Sequence, residues 1–204
     1  MSEGGGVTSV ERVLAFVREG KWSHVRERDS VEATRACCEM ARRVFGTFRF
    51  FPLGSGTKAA KARTSPVRLR LARGATQWAN LLHDVAHYQV AAASRRHLRG
   101  FGLGWDPDGL ASGERLVSGR FSVKEESLAS VLGVLWEAGL GMDFGYTLSE
   151  HNWMENAPDD SVVAACCSEL ERLGIVVAGE PTPKLRDRRI GFYNAKLYGL
   201  DTSL

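Results

Sequence analysis

The stretch Trp78-Ala79-Asn80-Leu81-Leu82-His83-Asp84-Val85-Ala86-His87-Tyr88 decides how the chain is read. Its apolar residues Trp78, Leu81, Leu82, Val85 and Ala86, continued by Val90, recur at helical spacing and predict a long helix from about Thr76 to Ala93. His83 and His87 are four residues apart, so they project from one face of that helix about one turn apart. Two imidazoles in that arrangement reach a single cation, and neutral imidazole suits zinc, iron, copper or nickel. Two histidines on a helix are more often a surface or core pair than ligands. Against that reading, the helix around them is strongly apolar, where a histidine without a partner is costly. An acid, Asp84, directly follows the first histidine, and a strand with arginine-bearing edges precedes the helix.

Asp84 stands where the HExxH metallopeptidase motif has its glutamate, the general base toward a metal-bound water. A catalytic divalent site also needs a third protein ligand and an open position. His97 lies ten residues past His87 and fits neither helical spacing nor the HxxGxxH spacing. Glu125 and Glu126 are better placed, at the start of a helix expected from about Lys124 to Ala138 that carries Leu128, Val131, Leu132, Leu135 and Trp136. Glu126, Ser130 and Gly133 share one stripe of that helix, whereas Glu125 turns about 100° away. The competing reading makes both acids solvated groups favouring the helix dipole. His83, His87 and Glu126 would form either a His₂Glu zinc site or a 2-His-1-carboxylate iron site, which the ligand set alone does not separate.

Working outward, Thr8-x-x-Glu11 has the form of a capping box opening a helix that closes near Gly20. Asp29-x-x-Glu32 opens a second helix, ending at Gly46. Strands are expected at Thr47 to Leu53 and at Val67 to Leu71, where apolar residues alternate with arginines, and a loop from Gly54 to Ser65. Gly100 to Gly113 reads as a further loop, with Trp105 needing a hydrophobic resting place. Pro158, with Asp159 and Asp160 in the first turn, opens a helix ending near Gly174. The tail from Glu180 carries no firm element except Ile190 to Tyr198. The sum is an α+β fold, several helices over a small mixed sheet: a disordered N-terminus, residues 1–8, and one metal-binding domain, residues 9–204.

With 204 residues, 44% hydrophobic and 25% charged, the composition suits a globular domain with a decent core. No apolar run approaches the roughly 20 residues of a membrane span, and MSEGGGVTS has no secretory character. The cysteines form two adjacent pairs, Cys37-Cys38 and Cys166-Cys167, matching neither a zinc knuckle nor a disulfide framework. Reduced thiols and a cytoplasmic location are the expectation. A net charge of +3 is too mild to mark a nucleic-acid binder. Charge is nevertheless uneven: Lys58, Lys61, Arg63, Arg68, Arg70 and Arg73 form a basic stretch, while Glu150, Glu155, Asp159, Asp160, Glu169 and Glu171 form an acidic one. These are either two solvated faces or a basic rim that attracts an acidic macromolecule.

From Val67 onward the chain resembles the elongation factor P hydroxylase family, non-haem iron proteins on a zincin-like metallopeptidase fold. The shared features are the strand Val67-Arg-Leu-Arg-Leu, then Leu82-His83-Asp84-Val-Ala-His87-Tyr88, Ala93-Ser-Arg95-Arg96, Phe101-Gly102, Pro107-Asp108-Gly109 and Phe121-Ser-Val123-Lys124. Their order and spacing run close to the family's without gaps over roughly residues 67 to 130. The resemblance implies a zincin-like domain, bound Fe²⁺ and hydroxylation of a modified lysine on a translation factor. Two departures stand out. The family has His-Glu where this chain has His83-Asp84, and it places an acid shortly before the Val-Lys dipeptide, where Ser122 stands here.

The leading expectation is therefore a metal-dependent hydroxylase acting on a protein side chain. In it His83, His87 and Glu126 hold the metal, and Asp84 orients the ligands or assists as base. Arg95 and Arg96 would anchor an acidic substrate or the following loop, and the Phe101 to Gly109 loop would flank the cleft. The alternative is a zinc metallopeptidase with an HDxxH motif and Asp84 as base. A third reading is a non-catalytic domain that keeps the fold or binds RNA through its basic stretch.

Overall fold

Thr8 caps the first helix by the reciprocal bonds its spacing specifies. Glu11 N donates to Thr8 Oγ1 at 3.2 Å, and Thr8 N donates to the Glu11 carboxylate at 2.8 Å. This helix, α1, spans Ser9–Glu19 and closes at Gly20. The computed structural model describes residues 7–20, 24–25, 27–45, 49–52, 68–71, 77–95, 99–103, 115–150 and 159–186. Residues 1–6 of the N-terminus expected to be disordered over 1–8, the loop 54–65, Trp105 and the segment Ile190 to Tyr198 lie outside the described residues.

The second helix, α2, spans Val31–Phe45. Its cap is Ser30, whose Oγ accepts from Ala33 N at 3.0 Å. Asp29, the expected opener, instead accepts from Asp143 N at 2.9 Å and joins the helix start to a distant part of the chain. The metal-candidate helix, α3, spans Gln77–Val90. After it, α4 spans Gly119–Leu140. It begins well before the expected Lys124, because Ser118 caps it by accepting from Phe121 N at 3.3 Å. Glu125 and Glu126 thus lie beyond the first turn, where the pull of the helix dipole has faded. A short helix that the sequence reading lacked, α5, spans Phe144–Glu150. Finally α6 spans Asp160–Arg172, with Asp159 as its cap rather than in its first turn.

The expected α+β, zincin-like architecture with helices over a small mixed sheet is overturned: the described structure is helical. Strand pairing amounts to β1, Arg49–Pro52, and β2, Arg68–Leu71, joined in parallel from Arg49 opposite Arg68 to Pro52 opposite Leu71. The Phe/Arg and Leu/Arg alternation encodes local extended backbone. One pair of such short strands is too little to form a layer on which helices pack.

The core is made by helices instead. The most extensive packing is α3 on α4, with α1 and α6 also laid against α4. Leu81, Leu82, Val85 and Ala86 from α3 meet Leu132, Leu135 and Trp136 from α4, all fully buried. Gly133 sets the closest approach: a Cβ there would stand 3.4 Å from both Cα and N of His83. The described residues after α6, 173–186, have no regular element, yet they are bonded onto this core. Trp136 Nε1 donates to Pro183 O at 2.9 Å, Ser9 N to Pro181 O at 3.0 Å and Lys184 N to Ile175 O at 2.7 Å.

No helix among the described residues is long and apolar enough to cross a membrane. All four cysteines are free thiols, with Cys37, Cys166 and Cys167 buried. Within the acidic run, Asp160 pairs with Arg18 at 3.0 Å, and Glu169 pairs with Arg172 at 2.7 Å and Lys124 at 3.6 Å. Part of that run is therefore locally compensated. The side chains of the basic stretch, Lys58 to Arg73, lie outside the described residues.

Candidate metal centre

The seam between α3 and α4 brings three donor groups together. His83 and His87 share the α3 face turned toward α4, and both are buried, at 8% and 6% exposure. Across the seam Glu126, half-buried on α4, divides its carboxylate between them. Oε1 is 3.0 Å from His83 Nε2 and Oε2 is 3.1 Å from His87 Nε2. The two Nε2 atoms stand 3.0 Å apart, with the imidazole rings edge to face. The three expected ligand residues, His83, His87 and Glu126, are brought together and offer atoms all within 4.8 Å of one another, a cluster that could hold a metal ion.

The donor set and its spacing fit a divalent cation. Two donors bound through bonds of about 2.1 Å stand about 3.0 Å apart at a right angle and about 3.4 Å apart at the tetrahedral angle. The two Nε2 atoms, 3.0 Å apart, match the first, and Glu126 presents a different carboxylate oxygen to each of them. Which of the two Nε2 atoms carries a proton depends on the ring tautomers. A cation would take both nitrogens as lone-pair donors.

Electrostatics follow from burial at this seam. Burial disfavours the charged form of His83 and, with the neighbouring His87, brings its value down to about 4. Burial also opposes a charge on His87, but the hydrogen bond and charge of Glu126, helped by Asp84 and Glu125, outweigh it and raise its value. Burial alone would raise Glu126; the hydrogen bonds from His83 and His87 reverse this and hold its carboxyl well below the usual range. Asp84 is raised to about 7, mainly by burial and further by the Glu126 charge, while His87 acts in the opposite direction. These interactions place the Asp84 carboxyl within electrostatic reach of two of the three donors.

Glu125 does something different from Glu126. It is buried at 3% exposure and engages the buried guanidinium of Arg95 through both oxygens, one of them 3.4 Å from Arg95 Nη1. Arg95 also donates to Phe101 O at 2.7 Å. Of the two expected roles, anchoring an acidic substrate or the following loop, Arg95 makes the contact of the second, and Glu125 uses its charge inside the protein. Arg96 and His97 lie outside the described residues. The sequence reading missed the ring of Phe101, which stacks on His87 with centroids 5.3 Å apart and planes 17° from parallel. Ser130 Oγ, one turn along α4 from Glu126, is buried with no hydrogen-bond partner among the described residues.

Comparison with known proteins adds no relative: no family model, curated protein or solved structure matches the chain.

Proposed function

We propose that this protein is a metal-dependent enzyme, an iron hydroxylase acting on a protein side chain, with His83, His87 and Glu126 as the ligands of one Fe²⁺. The observation that carries the reading is the convergence of three donor residues: the Nε2 atoms of His83 and His87 stand 3.0 Å apart, and each lies 3.0 to 3.1 Å from one oxygen of the Glu126 carboxylate. Two histidines and one carboxylate are the ligand set of non-haem iron oxygenases and would leave positions open for oxygen and substrate. The resemblance of residues 67 to 130 to the elongation factor P hydroxylase family supports a protein substrate, and a translation factor is the first to try. The thiol state of all four cysteines fits a reducing compartment such as the cytoplasm.

Iron in this site would supply activation of O₂. That chemistry would insert one oxygen atom into a substrate C–H bond and release the other as water, with two electrons and two protons from an added reductant such as ascorbate. The protein's own part is to hold the donors at their spacing, keep the seam dry and handle protons. His87 gives up its proton when its nitrogen becomes a ligand, and Asp84 stands close enough to influence that exchange.

A second reading, a zinc-dependent hydrolase, draws on Asp84, whose half-buried carboxyl lies within electrostatic reach of His87 and Glu126. Its side chain is one bond, about 1.5 Å, shorter than the glutamate of HExxH, and misplacement on that scale costs about 10²-fold. The test is direct. Protein loaded with Fe²⁺ and given O₂ and ascorbate should add about 16 Da to a protein substrate, and zinc-loaded protein should not, since Zn²⁺ has no redox chemistry. Zinc-dependent peptide cleavage without an iron-dependent mass gain would reverse the order of the two readings.

A further inference from the structure

Beside the donor cluster, the short 3₁₀ turn Arg99–Gly102 is held in a conformation its own residues disfavour. Phe101 has a φ of 54°, the one positive φ at a non-glycine position among the described residues. A side chain with a Cβ adopts that region only where its surroundings impose it. Here the imposing contacts are on the page. Arg95 Nη1 donates to Phe101 O at 2.7 Å, Leu116 N donates to Gly102 O at 2.9 Å and Ser122 Oγ donates to Leu103 O at 3.1 Å. Arg95 is in turn fixed by Glu125, the neighbour of Glu126 on α4, and its guanidinium carbon lies 5.4 Å from the centre of the Phe121 ring.

The product of this strain is the stack of Phe101 on His87. A metal-binding histidine is ordinarily oriented by a hydrogen bond from its other ring nitrogen to a carboxylate or carbonyl. His87 Nδ1 is buried and has no such partner among the described residues. Its Nε2 contact with Glu126 leaves the ring free to turn about that direction, and the face of Phe101 removes that freedom.

We infer that Arg95, Glu125 and Phe101 form a clamp that sets the ring plane of His87, whose Nδ1 has no hydrogen-bond partner among the described residues. They are positioning residues. The buried ion pair holds the Phe101 backbone in its left-handed conformation, and the ring so presented holds the imidazole. The effect on metal rests on the reading of His87 as a ligand; the orientation of the ring does not.

Phe101→Gly is the informative variant, because glycine accepts the positive φ without strain and only the ring is lost. With cobalt(II) as probe, this variant should bind about 10-fold more weakly than the parent, the loss typical when a ligand's orienting partner is removed. Its visible cobalt absorption should also change in position or intensity, which a change in fold stability alone would not cause. The second variant, Arg95→Met with Glu125→Met, removes both charges and leaves neither unpaired. In metal-free protein the His87 ring protons should carry the upfield shift of the stacked Phe101 ring, and this variant should lose most of it with Phe101 intact. A folded Phe101→Gly protein with the parent's cobalt affinity and spectrum would overturn the inference. If the parent itself takes up no cobalt, the metal reading fails separately. The clamp is then decided by the ring shift, and its persistence in the Met/Met variant would overturn it.

Discussion

Gly133 lets α4 close onto the backbone of His83: a Cβ at position 133 would stand 3.4 Å from His83 Cα and from His83 N. Those are backbone atoms of a buried helix and cannot swing aside as a flexible side chain would. Gly133→Val should therefore wedge the seam open, costing about 1–3 kcal/mol as overpacking does. Glu126 would also be drawn away from both imidazoles. Denaturant unfolding and metal titration should both register the change. A variant that keeps the parent's stability and metal affinity would show that the seam is looser than described.

Glu125 and Glu126 are neighbours in sequence with opposite expected phenotypes. Glu125→Ala leaves the Arg95 charge buried without its partner, a change of about 3–5 kcal/mol. Urea unfolding should show that loss even without metal. Glu126→Ala should instead lower metal affinity by about 10-fold or more while costing less stability, since Glu126 is only half-buried. Equal stability losses in the two variants would contradict the division of labour between them.

How much of this was readable in the sequence depends on the range of each signal. The pairing of His83 with His87 is a one-turn relation, and the stripe Glu126, Ser130, Gly133 follows from helical period, so both survive without tertiary information. The strands β1 and β2 were also legible as local alternation. The sheet layer inferred from them was not, because pairing partners and layers are tertiary facts. The start of α4 was misjudged because Ser118-Gly119 resembles a turn as much as a cap. The loop from Phe101 was expected beside the cleft, but the conformation of Phe101 had no local signal. A left-handed phenylalanine is imposed by Arg95, whose own partner Glu125 is thirty residues away.

Protons and metal compete at His87. Its value is raised in the metal-free protein, since Glu126 and the nearby carboxylates outweigh burial. A cation binds only the deprotonated nitrogen and so displaces that proton. Apparent metal affinity should consequently fall about tenfold for each pH unit below the His87 value and level off above it. Calorimetry in buffers of different ionisation enthalpy should detect proton release near neutral pH. Metal uptake with no proton release there would mean that His87 is already neutral.

The length of the acid beside His83 separates the two chemistries. Asp84→Glu extends the carboxylate by about one bond, and a hydrolase that depends on this group as base should become faster on an unfolded protein substrate. An oxygen-using hydroxylase should show negligible peptide cleavage in both forms. Proteolysis assays on zinc-loaded parent and variant give the comparison, and marked cleavage by Asp84→Glu alone would strengthen the hydrolase reading.

Metal content of the purified chain tests the central claim most directly. Elemental analysis of protein prepared without added metal should find close to one equivalent of iron per chain in the parent. His83→Ala and His87→Ala, both still folded by circular dichroism, should carry none above background. Metal retained at the parent's level in both histidine variants, or no metal in a parent that also takes up none on reconstitution, would contradict the assignment of His83, His87 and Glu126 as a metal centre.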